Sequence, residues 1–261
     1  MRFLKAFVSA LAVAVTAEPV PRRSGLKPLV RRDETDSMTK ETLLAAMKDA
    51  SGSMALREEP FTLIVQGGAV NVILGNRQTT GDIDYIATTY SANEPEKYGE
   101  EVLDKLKPGW KWAHQSSAKR CKPIPSKWTD NTISAFFYKK AALWEKYKSE
   151  AEAQDTVLSA EGMDDDGTGI KFIAAPWDWQ FVGKMVSSGA DGKPRKPYDF
   201  DDAKFYMQKW LEKNQRQSVS YNDMKSWFSA WGKEAPSTLG QLAREVNQKA
   251  GTDLITGISD E

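Results

Sequence analysis

Two aspartates, Asp82 and Asp84, flank a single isoleucine downstream of a glycine pair, Gly67-Gly68. Residues two apart in a strand share a face. The two carboxylates therefore point the same way, about 7 Å apart at their Cα atoms, while Ile83 and Tyr85 turn into a core. Side-by-side carboxylates repel, and one stays protonated unless a cation intervenes. A hard divalent cation such as Mg²⁺ or Mn²⁺ removes the conflict, taking carboxylate oxygens and filling its remaining positions with water and phosphate. The glycines supply the complement. A Gly-Gly turn entering a helix lets backbone N–H groups approach phosphate oxygens with no Cβ in the way. One reading of the stretch is thus a metal-plus-polyphosphate arrangement. The other is a βα turn followed by an acidic strand end with no metal.

The elements that must position these residues are legible around them. Phe61 to Val65 is an apolar run short enough for a buried strand. Ala69–Leu74 carries a short helical pattern, Asn76 to Gly81 is a polar connection, and Asp82 to Ile86 is the second strand. This strand–glycine–helix–strand unit resembles the nucleotidyltransferase superfold, the DNA-polymerase-β-like group, nearest its AbiEii-type and minimal nucleotidyltransferase branch. In that branch a Gly-Gly, an Arg, a Thr and an Asp-hydrophobic-Asp recur at about this spacing. Here they are Gly67-Gly68, Arg77, Thr80 and Asp82-Ile83-Asp84. The same families place an Ala/Pro-start helix bearing a Lys before an Arg and a helix that opens with Asp. Lys184, Arg195, Asp199 and Asp202 follow that order.

The resemblance spans about Phe61 to Leu211, patchily between Tyr90 and Ser159. It implies an α+β fold, with a small mixed sheet flanked by helices and a helical C-terminal appendage. It also implies that Asp82 and Asp84 bind Mg²⁺ (or Mn²⁺), and that Gly67 and Gly68 cradle the triphosphate. Arg77, Thr80 and Lys184 would complete the nucleotide site. The reaction would move a nucleoside monophosphate from a nucleoside triphosphate to a hydroxyl of a protein, RNA or small molecule. Members of the superfold carry a third carboxylate on a neighbouring strand. Asp130 is preferred for it over Asp155, although neither lies inside a predicted strand. Without it the chain would be a degenerate fold that serves as a binding or effector module, which is the alternative function.

Composition sets further bounds. Lysine plus arginine equals aspartate plus glutamate at 36 each, so charge alone does not suggest a nucleic-acid partner. One cysteine, Cys121, excludes an intramolecular disulfide. One histidine, His114, disfavours a histidine zinc site or a Ser-His-Asp triad and reads as a surface residue. Residues 1–17, basic and then apolar, read as a secretory signal peptide, with an amphipathic helix as the other reading. They make the protein an extracellular one with no stable membrane insertion after the signal is removed. Residues 18–36, with prolines and two dibasic pairs, read as a pro-segment or linker. The transferase-like domain follows over 37–215, and C-terminal helices and a tail over 216–261.

Within the domain, Ser37–Ser51 is expected as a helix capped by Thr39 and packed on the sheet. Glu94–Lys107 is a helix stopped by Pro108-Gly109, and Trp110-Lys111-Trp112 alternates like a strand. Ser116 to Lys127 is a polar loop. Thr132–Tyr138 is a strand, Ala141–Ala153 a helix, and Thr156–Ser159 and Ile170–Ala174 are strands joined by an acidic turn. Helices begin at Pro176 and Tyr198, and two more run near Ser220–Lys233 and Ser237–Ala250. Trp227, Phe228 and Trp231 are core candidates, and the tail from Gly251 is expected to fray.

Overall fold

A computed structural model describes residues 37–189 and 196–258. The expected leader and pro-segment, and Arg195, lie outside the described residues. A two-residue strand, β1 (Met38–Thr39), leads into helix α1 (Lys40–Ala55). Thr39 caps it as its sequence predicts: the Thr39 hydroxyl oxygen accepts the Thr42 N–H at 3.4 Å. The apolar run then forms β2 (Pro60–Gln66), and Gly67 turns the chain into the short helix α2 (Gly68–Ile73). β3 (Thr79–Thr80) pairs with β1, and the Asp-x-Asp segment becomes β4 (Ile83–Ala87).

The next region departs from the expectation. Helix α3 (Pro95–Tyr98), a π-helical turn (Gly99–Leu103) and α4 (Asp104–Lys119) follow one another directly, so the chain stays helical through Pro108-Gly109. The proline forfeits one backbone hydrogen bond, and tertiary packing compensates. Gly109 lies flat on α1, where a Cβ would sit 3.1 Å from the Ala50 carbonyl and 3.1 Å from Met54 Sδ. The glycine that reads as a stop is a helix–helix contact. Trp110-Lys111-Trp112 is therefore helical, with Trp110 turned in and Trp112 out at 47% exposure. His114, on the same helix, is half-buried rather than a surface residue.

The run Thr132–Tyr138 is not a strand either. Its core is one helical turn, α5 (Ile133–Phe137), whose Phe137 is fully buried. The strand lies just upstream, as β5 (Thr129–Asp130). Helix α6 (Ala141–Gln154), β6 (Val157–Ser159), β7 (Gly169–Ala174) and α7 (Trp177–Gly189) follow much as expected. Next come α8 (Asp199–Lys213), β8 (Val219–Ser220), α9 (Tyr221–Ala230) and α10 (Leu239–Ala250). The tail does not simply fray: Ile255–Thr256 forms β9, parallel to β8, and Asn247 holds Ile255 through its side-chain amide at 2.7 and 2.9 Å.

The architecture is α+β, a small mixed sheet flanked by helices. The strand order is β5-β4-β2-β7-β6. β2 runs parallel to β7 and antiparallel to β4, and β4 runs parallel to β5. Alternation along the strands divides the side chains between two layers. Leu63, Val65, Ile83, Tyr85 and Phe172 face α1 and α4, where Trp110 packs edge-on to Tyr85 at 5.4 Å. On the other face Phe137, Trp144, Tyr147 and Trp179 form an aromatic cluster with ring centroids 4.9 to 5.9 Å apart. Trp231 joins it at 5.5 Å from Trp179, and Trp227 packs on Phe181 at 5.8 Å. The three C-terminal aromatics are core residues as expected.

Candidate functional site at the Asp84 cleft

The register of the sheet assembles the acids. Gln66 pairs with Asp84 across β2 and β4, and Asp84 pairs with Asp130 across β4 and β5. Residues paired across neighbouring strands share a face and stand about 5 Å apart at the backbone. Asp130 is therefore beside Asp84 and inside a strand, where the sequence left it just outside one. Its carboxylate accepts the Thr132 N–H at 2.7 Å. Asp82 precedes β4 and is exposed. Burial pushes the Asp84 carboxyl up to about 6, and the charges of Asp82 and then Asp130 push the same way, against Lys184 and Lys196. The Tyr147 hydroxyl, fully buried and without a hydrogen-bond partner, is raised by burial and further by the Asp84 charge.

Two side chains dictate the glycine pair. Gly67 has φ 72°, ψ −138°, a conformation that side-chain-bearing residues rarely adopt. A Cβ there would lie 2.9 Å from Asp84 Oδ2, and one on Gly68 would collide with Thr80 Oγ1. The turn is also clamped from α7 and α8. The Gly67 N–H donates to Gln180 Oε1 at 3.0 Å, so that amide is engaged. Its carbonyl accepts from the Tyr206 hydroxyl at 2.9 Å and from Asn71 Nδ2 at 3.1 Å. Thr80 is buried, and its hydroxyl donates to the Asp82 carbonyl at 3.1 Å, which fixes the entry to β4.

Arg77 and Lys184 meet over the opening turn of α8. Lys184 Nζ is 2.7 Å from Asp202 and 3.3 Å from Asp199, and Arg77 is 3.5 Å from Asp202 and stacks on the Tyr198 ring at 3.8 Å. Asp202 is fully buried with one carboxylate oxygen unpartnered. Burial raises its carboxyl, while Lys184 and Arg77 act to lower it. Asp201 instead reaches Lys249 at 3.5 Å near the surface, an ordinary helix-start acid.

These elements enclose a cleft of about 540 Å³. Of the expected site residues, Gly67, Asp84 and Lys184 line it. Asp82, Asp130, Gly68, Arg77 and Thr80 do not line it; they neighbour those residues or fix their positions. The lining also holds residues that sequence reasoning missed: Gln180, Lys196, Tyr206 and Lys233. Asn71 was missed as well; its signal was a polar residue inside an apolar helix, and its burial against the Gly67 turn accounts for it. Lys233 carried no signal, since a lysine after a Trp-Gly reads as an exposed helix end.

Among the described residues, no three acid, histidine or cysteine side chains converge as a ready-made metal cage. The donor set fits a different kind of binding. Hard carboxylates in mutual repulsion suit Mg²⁺ or Mn²⁺, which hold one or two protein carboxylates and leave the remaining positions to water and phosphate. The chain matches no protein-family model, no curated protein and no solved structure.

Proposed function

We propose that the cleft binds a nucleoside triphosphate with a divalent cation, and that the protein transfers its nucleoside monophosphate to an acceptor hydroxyl, as nucleotidyltransferase-fold enzymes do. One observation carries this reading. Asp84 and Asp130 stand side by side on neighbouring strands with the charge of Asp82 close by, and Asp84 lies against the Gly67 turn in a cleft that Lys184 and Lys196 also line. Asp82 and Asp84 would hold Mg²⁺ or Mn²⁺, which when bound supplies charge neutralisation on the phosphates. Asp130, beside Asp84, would take the proton of an acceptor hydroxyl. The acceptor oxygen then bonds to the α-phosphorus as its bond to the bridging oxygen breaks, and pyrophosphate leaves. Lys184 and Lys196, which line the cleft, would supply positive charge to the phosphates. Arg77 positions Tyr198 and Asp202 more than it faces the ligand.

A second reading, a fold that binds nucleotide without turning it over, draws on the engaged Gly67 amide and on the pairing of Lys184 and Arg77 with buried acids. Label transfer separates the two. The full chain is supplied with α-labelled ATP, GTP, CTP and UTP in turn, with Mg²⁺ or Mn²⁺ and a cell lysate as acceptor pool. Label on a protein, RNA or small-molecule fraction that vanishes in Asp82→Ala and Asp84→Ala supports transfer. Metal-dependent nucleotide binding by calorimetry without any transfer supports the second reading. No metal-dependent binding of any nucleotide refutes the first.

A further inference from the structure

The cleft has a second charge centre. The charge of Asp84 is felt by Lys184 and Lys196, whereas Lys233, which lines the same cleft, stands on the Trp179 ring. Lys233 follows α9, and its Nζ lies 3.9 Å over the Trp179 ring and 5.4 Å from the Phe136 ring. It also reaches the backbone of α7, where a Cβ on Gly183 would be 3.8 Å away. Lys140 sits 3.9 Å over the opposite partner, Phe136. Burial, and after it the positive charge of Lys140, lowers the Lys233 amine to about 8.

The acids nearby are committed elsewhere. Asp178, on the adjoining turn of α7, accepts the Trp231 indole N–H at 3.0 Å, and Asp199 and Asp202 hold Lys184. Asp84 has Lys184 and Lys196 as its nearby cations. Among the described residues, neither Lys233 nor Lys140 is paired with a carboxylate. Two lysines held on aromatic faces, one of them poorly hydrated and in a cleft, are stabilised together by a multiply charged anion.

We infer that the cleft wall at Lys233, with the exposed Lys140 nearby on the Phe136 ring, is a binding subsite for a phosphate group. It goes beyond the transfer reading, because anion binding there needs neither the cation nor the acids. The phosphate comes from the nucleotide itself or from a separate acceptor, and the chemistry at Lys233 is the same.

The test uses the full chain in EDTA, with inorganic phosphate and pyrophosphate as probes. Lysine acetylation by limiting acetic anhydride is mapped by mass spectrometry, with the exposed Lys225 as the internal reference. Phosphate or pyrophosphate is expected to slow acetylation of Lys233 several-fold and to leave Lys225 unchanged. In calorimetry, Lys233→Met is expected to weaken pyrophosphate binding about tenfold, the loss of one charge-assisted contact, and Lys140→Met to weaken it less. Protection by ATP alone assigns the subsite to the nucleotide's phosphates. Protection only by phosphate added on top of ATP assigns it to a second substrate. Unprotected Lys233, or unchanged pyrophosphate affinity in Lys233→Met, overturns the inference. Asp84→Ala keeps the protection, so a failure of the transfer reading and a failure here are told apart.

Discussion

Lys233→Met is expected to make the protein more stable at neutral pH. In the folded chain the ammonium is lowered from 10.5 to about 8, chiefly because burial penalises its charge. At about 1.4 kcal/mol per pKa unit, that is about 3 kcal/mol against the charged form. Lys233 is only half-buried, and solvent screening reduces the figure to about 1.5 kcal/mol. Methionine keeps the apolar stem over Trp179 and replaces the cation with a sulfur that also packs on rings. The sign follows from proton counting. Below about 8 both the folded and the unfolded chain carry the proton, and the folded state bears the full penalty. Between about 8 and 10.5 the unfolded chain binds more protons, so the wild type gains stability as pH rises and the penalty disappears. Thermal unfolding of both proteins across pH 7 to about 10.5, taken as a difference, isolates this one group. For a chain of this size about 1.5 kcal/mol is a rise of about 3–6 °C at pH 7. The gap closes toward about pH 10.5. A variant that is less stable at pH 7, or a gap that ignores pH, refutes the reasoning and with it the desolvated, unpaired state of the amine.

Three other perturbations probe the rest of the site. Gly67→Ala forces a side chain into φ 72° and 2.9 Å from Asp84, and is expected to cost about 2 kcal/mol in urea unfolding. Asp202→Ala takes the carboxylate from Arg77 and leaves Lys184 only Asp199, and is expected to cost about 3 kcal/mol, whereas Asp201→Ala next to it stays within about 0.5 kcal/mol. Equal effects would show that the buried pairing does not matter. Mg²⁺ with a nucleotide is expected to raise the melting temperature of the wild type but not of Asp84→Asn, because ligand binding to the folded state alone stabilises it. A shift that survives the substitution removes Asp84 from the cation's ligands.

Local pattern was enough for parts of this fold. The β2 run, the Thr39 cap and the acids opening α8 each declare themselves within one element. The failures share a cause, which is partners supplied from elsewhere in the chain. Pro108-Gly109 has the composition of a stop, but α1 needs a residue with no Cβ at that point of close approach, and the contact outweighs the lost hydrogen bond. Trp110 and Trp112 alternate in sequence because one joins Tyr85 and Trp128 and the other faces solvent, which a helix achieves as readily as a strand. The Ile133–Phe137 segment has β-favouring residues. It coils because Phe137 must reach Trp144, Tyr147 and Trp179, and packing overrides propensity.

The same distinction runs through the site. Asp82 and Asp84 were visible as a pair from the expected strand Asp82–Ile86, but the strand starts at Ile83 and leaves Asp82 exposed just before it. Asp130 was visible only as a candidate, since its worth depends on a two-residue strand whose pairing with β4 sets it opposite Asp84. The Gly-Gly pair was legible as a motif but not in its reason: the Asp84 carboxylate and the Thr80 hydroxyl occupy the space where the two Cβ atoms would go. The turn and the acids are therefore one unit, and a change in either displaces the other. Lys233 is the opposite case. No neighbour in sequence marks it, and only the docking of Trp231 against Trp179 and Asp178 brings its amine to the cleft wall. A site whose acids come from adjacent strands, and whose lysines come from α7, the approach to α8 and the segment after α9, has its cationic half written in tertiary contacts, so the Trp231 anchor bears on the charge of the cleft.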